Sequence, residues 1–327
     1  MSAEPVIAAL DLVKYFPVRR GVLIPRKVGD IRAVDHVSLA LEHGETLGVV
    51  GESGAGKSTL GRLILRLMAP DAGEIRFAGR SLAHMDAAAL FDFRRHVQMV
   101  FQDPFGSLNP RLTVGASIEA PLRNFRMGTA PQRRRRVMEL LELVGLDPRH
   151  VNRYPHEFSG GQAQRIGIAR AIATSPRVIV LDEPVSALDV SIQAQILNLL
   201  SDLKERLQHS YVFIANNLNV VEHISDRVAV MHRGRIVEVA PREVLYARPA
   251  HPYTQALLAS VLTLDASRSR LKVAEEPQAG DGEERAEAAA GCRYRFQCPL
   301  AMDVCARTAP PLEPRESEGH RVACHAR

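Results

Sequence analysis

The sequence predicts an α/β fold, a mostly parallel sheet with helices on its faces. Three observations carry this. A short apolar strand, Thr46–Val50, runs into a glycine-rich loop and then a helix. Residues 176–240 read as strand, helix, strand, helix, strand, and such alternation builds parallel sheets covered on both sides. Apolar residues make up 46% of 327 and charged residues 24%, ordinary values for a globular chain, which exclude wholesale disorder and a small disulfide scaffold.

The elements follow in order. Residues 6–50 alternate short apolar runs with turns and are read as strands. After the loop, Leu60, Leu63, Ile64 and Leu67 fall on one face of a helix, and Val97–Phe101 is the next strand. Residues 106–175 are mostly helical. Beyond them come strand Val178–Leu181, helix Ile192–Leu207, strand Tyr211–Ala215, helix Val220–Ser225 and strand Val228–Met231. The pattern weakens after Pro241, and the acidic, Gly/Ala-rich stretch 274–291 reads as a linker.

Length suggests about two domains, or one large domain with an appendage. No run reaches the ~18 apolar residues of a membrane span. Met1–Leu12 carries Glu4 and Asp11 and lacks a basic start followed by an apolar core, so it is not read as a signal peptide and the chain is expected to stay in the cytosol. The net charge of +5 is weak evidence for a polyanionic partner. Arg133–Arg136 opens a helical pattern through Val137, Leu140, Leu141 and Val144. It is read as a solvated helix face, not a nucleic-acid patch.

The loop Gly51-Glu52-Ser53-Gly54-Ala55-Gly56-Lys57-Ser58-Thr59 satisfies G-x-x-x-x-G-K-[ST]. Its chance occurrence in this composition is on the order of 0.002, too low to read it as an ordinary turn. Glycines let successive N–H groups point at phosphate oxygens. Lys57 supplies a point charge to the β- and γ-phosphates, Ser58 offers a hydroxyl to Mg²⁺, and the following helix adds its positive end. Asp182 ends the apolar strand Val178–Leu181, where open α/β sheets bind ligands. It is read as the metal-organising acid, with Glu183 as the candidate general base. Gln102, after Val97–Phe101, offers an amide to Mg²⁺ or water. Ser159-Gly160-Gly161-Gln162 opens another helix; alone it reads as an N-cap.

The order of phosphate loop, Gln102, Ser159–Gln162, Asp182-Glu183 and then Ser186-Ala187-Leu188-Asp189 resembles the ATPase subunits of ATP-binding cassette (ABC) transporters over about residues 6–240. Three further segments make it similar to the peptide- and nickel-importer branch, nearest the dipeptide/oligopeptide subunits: Phe101–Pro110, Glu183–Ser191 and His251-Pro252-Tyr253-Thr254-Gln255-Ala256-Leu257-Leu258. The resemblance implies an ABC-type phosphate-loop ATPase domain over 1–240. Within it would be an N-terminal antiparallel β subdomain and a helical subdomain at about 104–165. A C-terminal extension at 241–273, the linker and a cysteine tail at 292–327 would follow. It implies ATP hydrolysis coupled to uptake of di- or oligopeptides, with nickel and glutathione as alternative cargoes.

The resemblance also implies residue roles. Phe16, or its neighbour Tyr15, would stack on adenine. Gly51, Ser53, Gly54, Gly56, Lys57, Ser58 and Thr59 would hold the phosphates, with Ser58, Gln102 and Asp182 on Mg²⁺. Asp189 would join the nucleotide site, and Ser159, Gly160, Gly161 and Gln162 would clasp the γ-phosphate of ATP held by a second ATPase subunit, which in this branch is usually a different chain. Two membrane-spanning permeases, contacted by about 103–165, and an extracytoplasmic binding protein would complete the assembly, with no nucleic acid. The chain would sit peripherally on the cytoplasmic face of the inner membrane.

One departure stands out. The family places a histidine after strand Tyr211–Ala215, on the γ-phosphate; here the residue is Asn216. Its amide donates a hydrogen bond but carries no charge. ATP binding is expected to be kept and hydrolysis slowed, and a nucleotide-binding structural or low-activity partner subunit is the alternative reading.

All four cysteines, Cys292, Cys298, Cys305 and Cys324, lie in the last thirty-six residues. Without a C-x-x-C turn they are still able to hold zinc or an iron–sulfur cluster, with His320 and His325 as alternative zinc ligands, or remain thiols. The resemblance implies a [4Fe-4S] cluster.

Overall fold

The computed structural model describes residues 4–20, 26–262, 291–315 and 317–326. The linker expectation, and residues 263–273 of the extension, lie outside them apart from Gly291.

The first strands are longer than the sequence pattern indicates. β1 (Ile7–Arg20) and β2 (Arg26–Leu41) pair antiparallel over most of their lengths. Register shifts break the pairing between Ala9 and Tyr15, and Asp11 takes a positive φ. Such bulges disrupt the strict alternation by which a long strand is recognised. β3 (Thr46–Val50) is entirely buried. The loop then leads to α1 (Lys57–Ile64). This helix is shorter than expected: Arg66 takes φ 53° and Leu67 is exposed. β4 (Ala72–Phe77) and β5 (Arg80–Ser81) complete a four-stranded antiparallel sheet in the order β2-β1-β4-β5.

α2 (Ala87–His96) leads to β6 (Val97–Val100), which stops one residue short of the expected strand and leaves Phe101 partly exposed. Helices then dominate: α3 (Pro104–Ser107), α4 (Val114–Asn124), α5 (Ala130–Leu143) and α6 (Gly160–Ile172). In α5 the arginine run is the expected helix face, with Arg133 on Glu119 and Arg136 on Glu139, while Val137, Leu140 and Leu141 are buried. β7 (Val178–Asp182), α7 (Val190–Leu207), β8 (Ser210–Ala215), α8 (Leu218–Ile224), β9 (Arg227–His232) and β10 (Arg235–Pro241) follow.

With two short strands from the chain's last described residues, β11 (Glu313–Pro314) and β12 (Arg321–Val322), the main sheet runs β11-β12-β10-β9-β3-β8-β7-β6. β9, β3, β8, β7 and β6 are parallel; β10 and the two strands beyond it are antiparallel. Successive strand residues feed opposite cores, as a two-residue period requires. Leu47, Val49, Val180, Val212 and Ile214 pack with α1 and the antiparallel sheet. Val50, Ile179, Leu181, Phe213 and Val230 pack under the helices of the other face.

After β10 come α9 (Arg242–Ala247) and α10 (Pro252–Leu262). The cysteine tail holds α11 (Asp303–Arg307), β11 (Glu313–Pro314) and β12 (Arg321–Val322). β12 pairs with β10 through Glu238 opposite Val322, so the tail extends the main sheet.

Candidate functional site

β3 delivers the phosphate loop between its two parallel neighbours. Gly51 lies so close to β9 that a Cβ there would come 2.0 Å from the Met231 carbonyl oxygen. Gly56 has φ 105°, and a Cβ would meet the Ala33 carbonyl oxygen at 1.9 Å. The loop sequence is therefore dictated by backbone approach as well as by the curvature a phosphate nest needs. Ser53 and Gly54 are exposed, and Ser58 and Thr59 are half-buried.

Lys57 is 3% exposed. Its ammonium donates to the carbonyls of Gly51 (2.8 Å) and Glu52 (2.7 Å) and to Oδ1 of Asn216 (2.7 Å). Burial lowers its pKa, and the charges of Glu183, Asp182 and Glu52 oppose that shift. Asn216 Nδ2 donates to Glu183 Oε1 (2.7 Å), and Gln102 Nε2 donates to Glu183 Oε2 (2.9 Å). A chain of hydrogen bonds thus links the lysine to the candidate base across the ends of three strands, β3, β8 and β7, and runs on to Gln102 after β6. Beside it, the Ser58 hydroxyl donates to Asp182 Oδ1 (2.8 Å). Burial raises the Asp182 pKa against that hydrogen bond. Glu183 has φ 47°, a left-handed conformation unusual for glutamate, and its N–H donates to Ile214 O at 2.9 Å. Strain of this kind clusters at functional sites.

The other expected residues are arranged as follows. Phe16 is 37% exposed, with the Lys14 ammonium 5.8 Å from its ring centre. Tyr15 instead donates its hydroxyl to buried Asp35, which leaves Phe16 the more available aromatic surface. Ser159 and Gln162 form a capping box at the start of α6, the Ser159 N–H reaching Gln162 Oε1 at 3.0 Å. Gly160 rests against Leu188, and a Cβ on Gly161 would strike Ile192 at 2.6 Å, which seats this turn against the segment bearing exposed Asp189. The glycines therefore have a packing reason to be there, alongside any part in binding.

None of the four cysteines is in a disulfide. Burial raises the Cys292 pKa, and the other three cysteines act on it electrostatically in the same direction. Among the described residues, however, no three or more His, Cys, Asp or Glu side chains are grouped to hold a metal ion. The histidines proposed as alternative zinc ligands are engaged elsewhere: His320 Nε2 meets Glu238 Oε1 at 2.9 Å, and His325 Nε2 meets the Thr308 carbonyl at 2.9 Å.

Two features escaped the sequence reading. Tyr253 of the HPY segment accepts from the Glu52 N–H of the phosphate loop (3.0 Å). Asp35, 1% exposed, gathers Tyr15, Arg235 and Arg293 from three separate segments. The HPY segment was visible as a motif; nothing in its spacing pointed to the loop 201 residues earlier.

A glycine-lined nest with a buried lysine, facing two strand-end acids, defines a phosphate-loop ATPase. The model for the ABC transporter family matches residues 34–186, and that for the oligopeptide/dipeptide transporter C-terminal region matches 237–305. The oligopeptide transport ATP-binding protein AppF of Bacillus subtilis is 49% identical over 327 residues, covering 99% of this chain and 98% of the relative. The dipeptide transport ATP-binding protein DppF of Escherichia coli is 44% identical, covering 99% and 95%. A dimeric ATP-binding cassette in a post-hydrolysis state with ADP and phosphate aligns with TM-score 0.64 and 30% identity over 72% of this chain and 98% of that one. The chain belongs to the ABC transporter family, among the ATP-binding proteins of oligopeptide and dipeptide transporters. Among the described residues, no helix is long and apolar enough to cross a membrane.

Proposed function

We propose that the chain is the ATP-hydrolysing subunit of an importer that takes up di- or oligopeptides. It would act peripherally on the cytoplasmic face of the membrane, with permeases, an external binding protein and a second ATPase chain. The family match over both the ATPase and C-terminal regions supports this reading. We divide the chain as the sequence suggested, into the ATPase unit at 1–240, the extension, the linker and the cysteine tail.

The observation that carries the chemistry is the chain Lys57–Asn216–Glu183–Gln102 beside the pair Ser58–Asp182. The lysine ammonium lies on the loop carbonyls of Gly51 and Glu52. On binding ATP it would turn to the β- and γ-phosphates while the loop N–H groups accept the rest of the tail. Phe16 would cover adenine. Glu183, freed from Asn216, would take a proton from a water aligned with the γ-phosphorus, with Gln102 orienting that water. The preset Ser58–Asp182 pair suits Mg²⁺, which when bound neutralises charge building on the phosphate oxygens. Ser159–Gln162, with Asp189 nearby, would close over nucleotide held by the second chain.

Asn216 favours a second reading, a low-turnover member of an unequal pair. It ties the phosphate lysine to the base, and its amide offers phosphate no charge.

We assign the four cysteines to a [4Fe-4S] cluster in preference to zinc. What supports the assignment is that all four cysteines of the chain lie in its last thirty-six residues; among the described residues no three or more His, Cys, Asp or Glu side chains are grouped to hold a metal ion. When bound, such a cluster would pin the tail; electron transfer has no step in the ATP cycle. A brown chromophore that is lost in Cys298→Ser supports the assignment, and a colourless anaerobic preparation ends it.

The ATPase reading is tested by the thermal shift on adding Mg·ATP. The natural chain should be stabilised, by about 2.7 kcal/mol at one hundred times Kd, and Lys57→Ala should not. Equal behaviour of the two removes the proposal.

A further inference from the structure

The cysteine tail reaches residues that themselves contact the nucleotide site, through two adjacent side chains, Arg293 and Tyr294. Cys292 is anchored inside the tail, its N–H donating to the Cys305 carbonyl at 2.8 Å. The next residue, Arg293, reaches out of the tail to the buried Asp35 carboxylate and to the Arg233 carbonyl. Asp35 is the group that holds the Tyr15 hydroxyl, next to Phe16. Arg233 begins the turn from β9 to β10, and the following Gly234 N–H donates to Ala55 O of the phosphate loop at 2.8 Å. One guanidinium therefore braces both the aromatic strand and a turn bonded to the loop.

Tyr294, 7% exposed, forms the other arm. Its ring meets Tyr253 edge-on at 5.5 Å, and His232 at 5.5 Å. Tyr253, 2% exposed, accepts the Glu52 N–H. The tail is fastened beneath these arms: β12 lies on β10, and His320 and the N–H groups of Ala250 and His251 all converge on the fully buried Glu238. A change at the thiols that moves Cys292 cannot leave Arg293 and Tyr294 where they are, since close-packed interiors transmit displacement.

We propose that Cys292-Arg293-Tyr294 couples the cysteine tail to the nucleotide site, with Arg293 and Tyr294 as positioning residues, so that the chemical state of the tail's thiols sets the affinity for Mg·ATP. This rests on the ATPase reading above. By linkage the coupling is reciprocal: nucleotide must alter the thiols as strongly as the thiols alter nucleotide binding.

Every cysteine of the chain lies in the tail, so thiol labelling of the full-length protein reports on that site alone. The experiment measures Mg·ATP affinity of the full chain as purified anaerobically, and again after any cluster is stripped with a chelator and the freed thiols are alkylated with iodoacetamide; on the stripped chain it also measures the alkylation rate with and without Mg·ATP. Expected are a loss of affinity of about fivefold or more on alkylation and protection of the thiols by nucleotide. Tyr294→Phe, which keeps the ring, should preserve both effects, and Tyr294→Ala should erase them. Tyr253→Phe removes a single oxygen without opening the core and should weaken both. A natural chain that binds Mg·ATP equally well with its thiols alkylated, and alkylates equally fast with nucleotide, overturns the coupling while sparing the ATPase reading. A chain that binds no Mg·ATP overturns both. Variants that lose affinity but keep the full reciprocal effect would show Tyr253 and Tyr294 to be structural only.

Discussion

Asn216→His places an imidazole where a neutral amide now spans two charged groups. The amide accepts from Lys57 through Oδ1 and donates to Glu183 through Nδ2, both at 2.7 Å. An imidazolium has no acceptor, so the bond from Lys57 is lost and the ammonium is released toward the phosphates. Toward a γ-phosphate the imidazolium makes a charge-assisted bond. Hydrogen bonds to charged groups contribute about 1.5–3 kcal/mol net; the amide's bond to phosphate, with one partner ionised, falls at the lower end of that range and the imidazolium's, with both ionised, at the upper end. A difference of about 1–1.5 kcal/mol realised at the transition state corresponds to roughly a 5- to 12-fold rise in kcat. The imidazolium is the effective form, so the gain is largest below its pKa, ordinarily ~6.5, and decays as pH rises past it. Phosphate release by the assembled transporter, followed from pH 6 to 8 for both chains, reads this directly. The ratio of histidine to asparagine turnover should exceed about five at pH 6 and fall toward one at pH 8. A ratio near one throughout refutes the argument that charge at this position limits hydrolysis.

Two further changes test the frame around the site. Gly56→Ala puts a Cβ 1.9 Å from the Ala33 carbonyl oxygen at φ 105°. A loss of about 3 kcal/mol or more and no Mg·ATP thermal shift are expected, and an unchanged urea midpoint would show that the loop can relax. For Asp35→Asn, loss of the ion pairs with Arg235 and Arg293 should lower stability by about 3 kcal/mol at pH 7. Burial raises the Asp35 pKa, but the hydrogen bonds from Tyr15 and Arg235 and the charges of Arg293 and Arg235 outweigh it, so the net shift is downward. That contribution is present above the unfolded value of ~3.9 and is lost as pH falls through the lower folded value. Urea midpoints of the two chains should therefore converge only in acid, and a constant gap down to pH 2 would exclude a titrating Asp35.

Local chemistry explains how much was legible beforehand. The phosphate loop, the strand ending in Asp182 and the helix after Ser159 each follow from a few consecutive residues, and spacing exposes them. β1 and β2 were underestimated because bulges near Asp11 break their alternation. α1 was overestimated because Leu67 continues its apolar spacing, while the backbone turns left-handed at Arg66.

The sequence alone pointed to a phosphate loop and to the strand that ends in Asp182 and Glu183, because each is a run of consecutive residues. The tertiary structure decided what each side chain touches. Sheet order sets β3 between β8 and β9, which brings Asn216 to Lys57 across 159 positions. It also sets β10 beside β9, so that β12 of the tail joins the same sheet as the strand that delivers the loop. Such pairings depend on which strands are neighbours in space, and one-dimensional spacing carries no term for that.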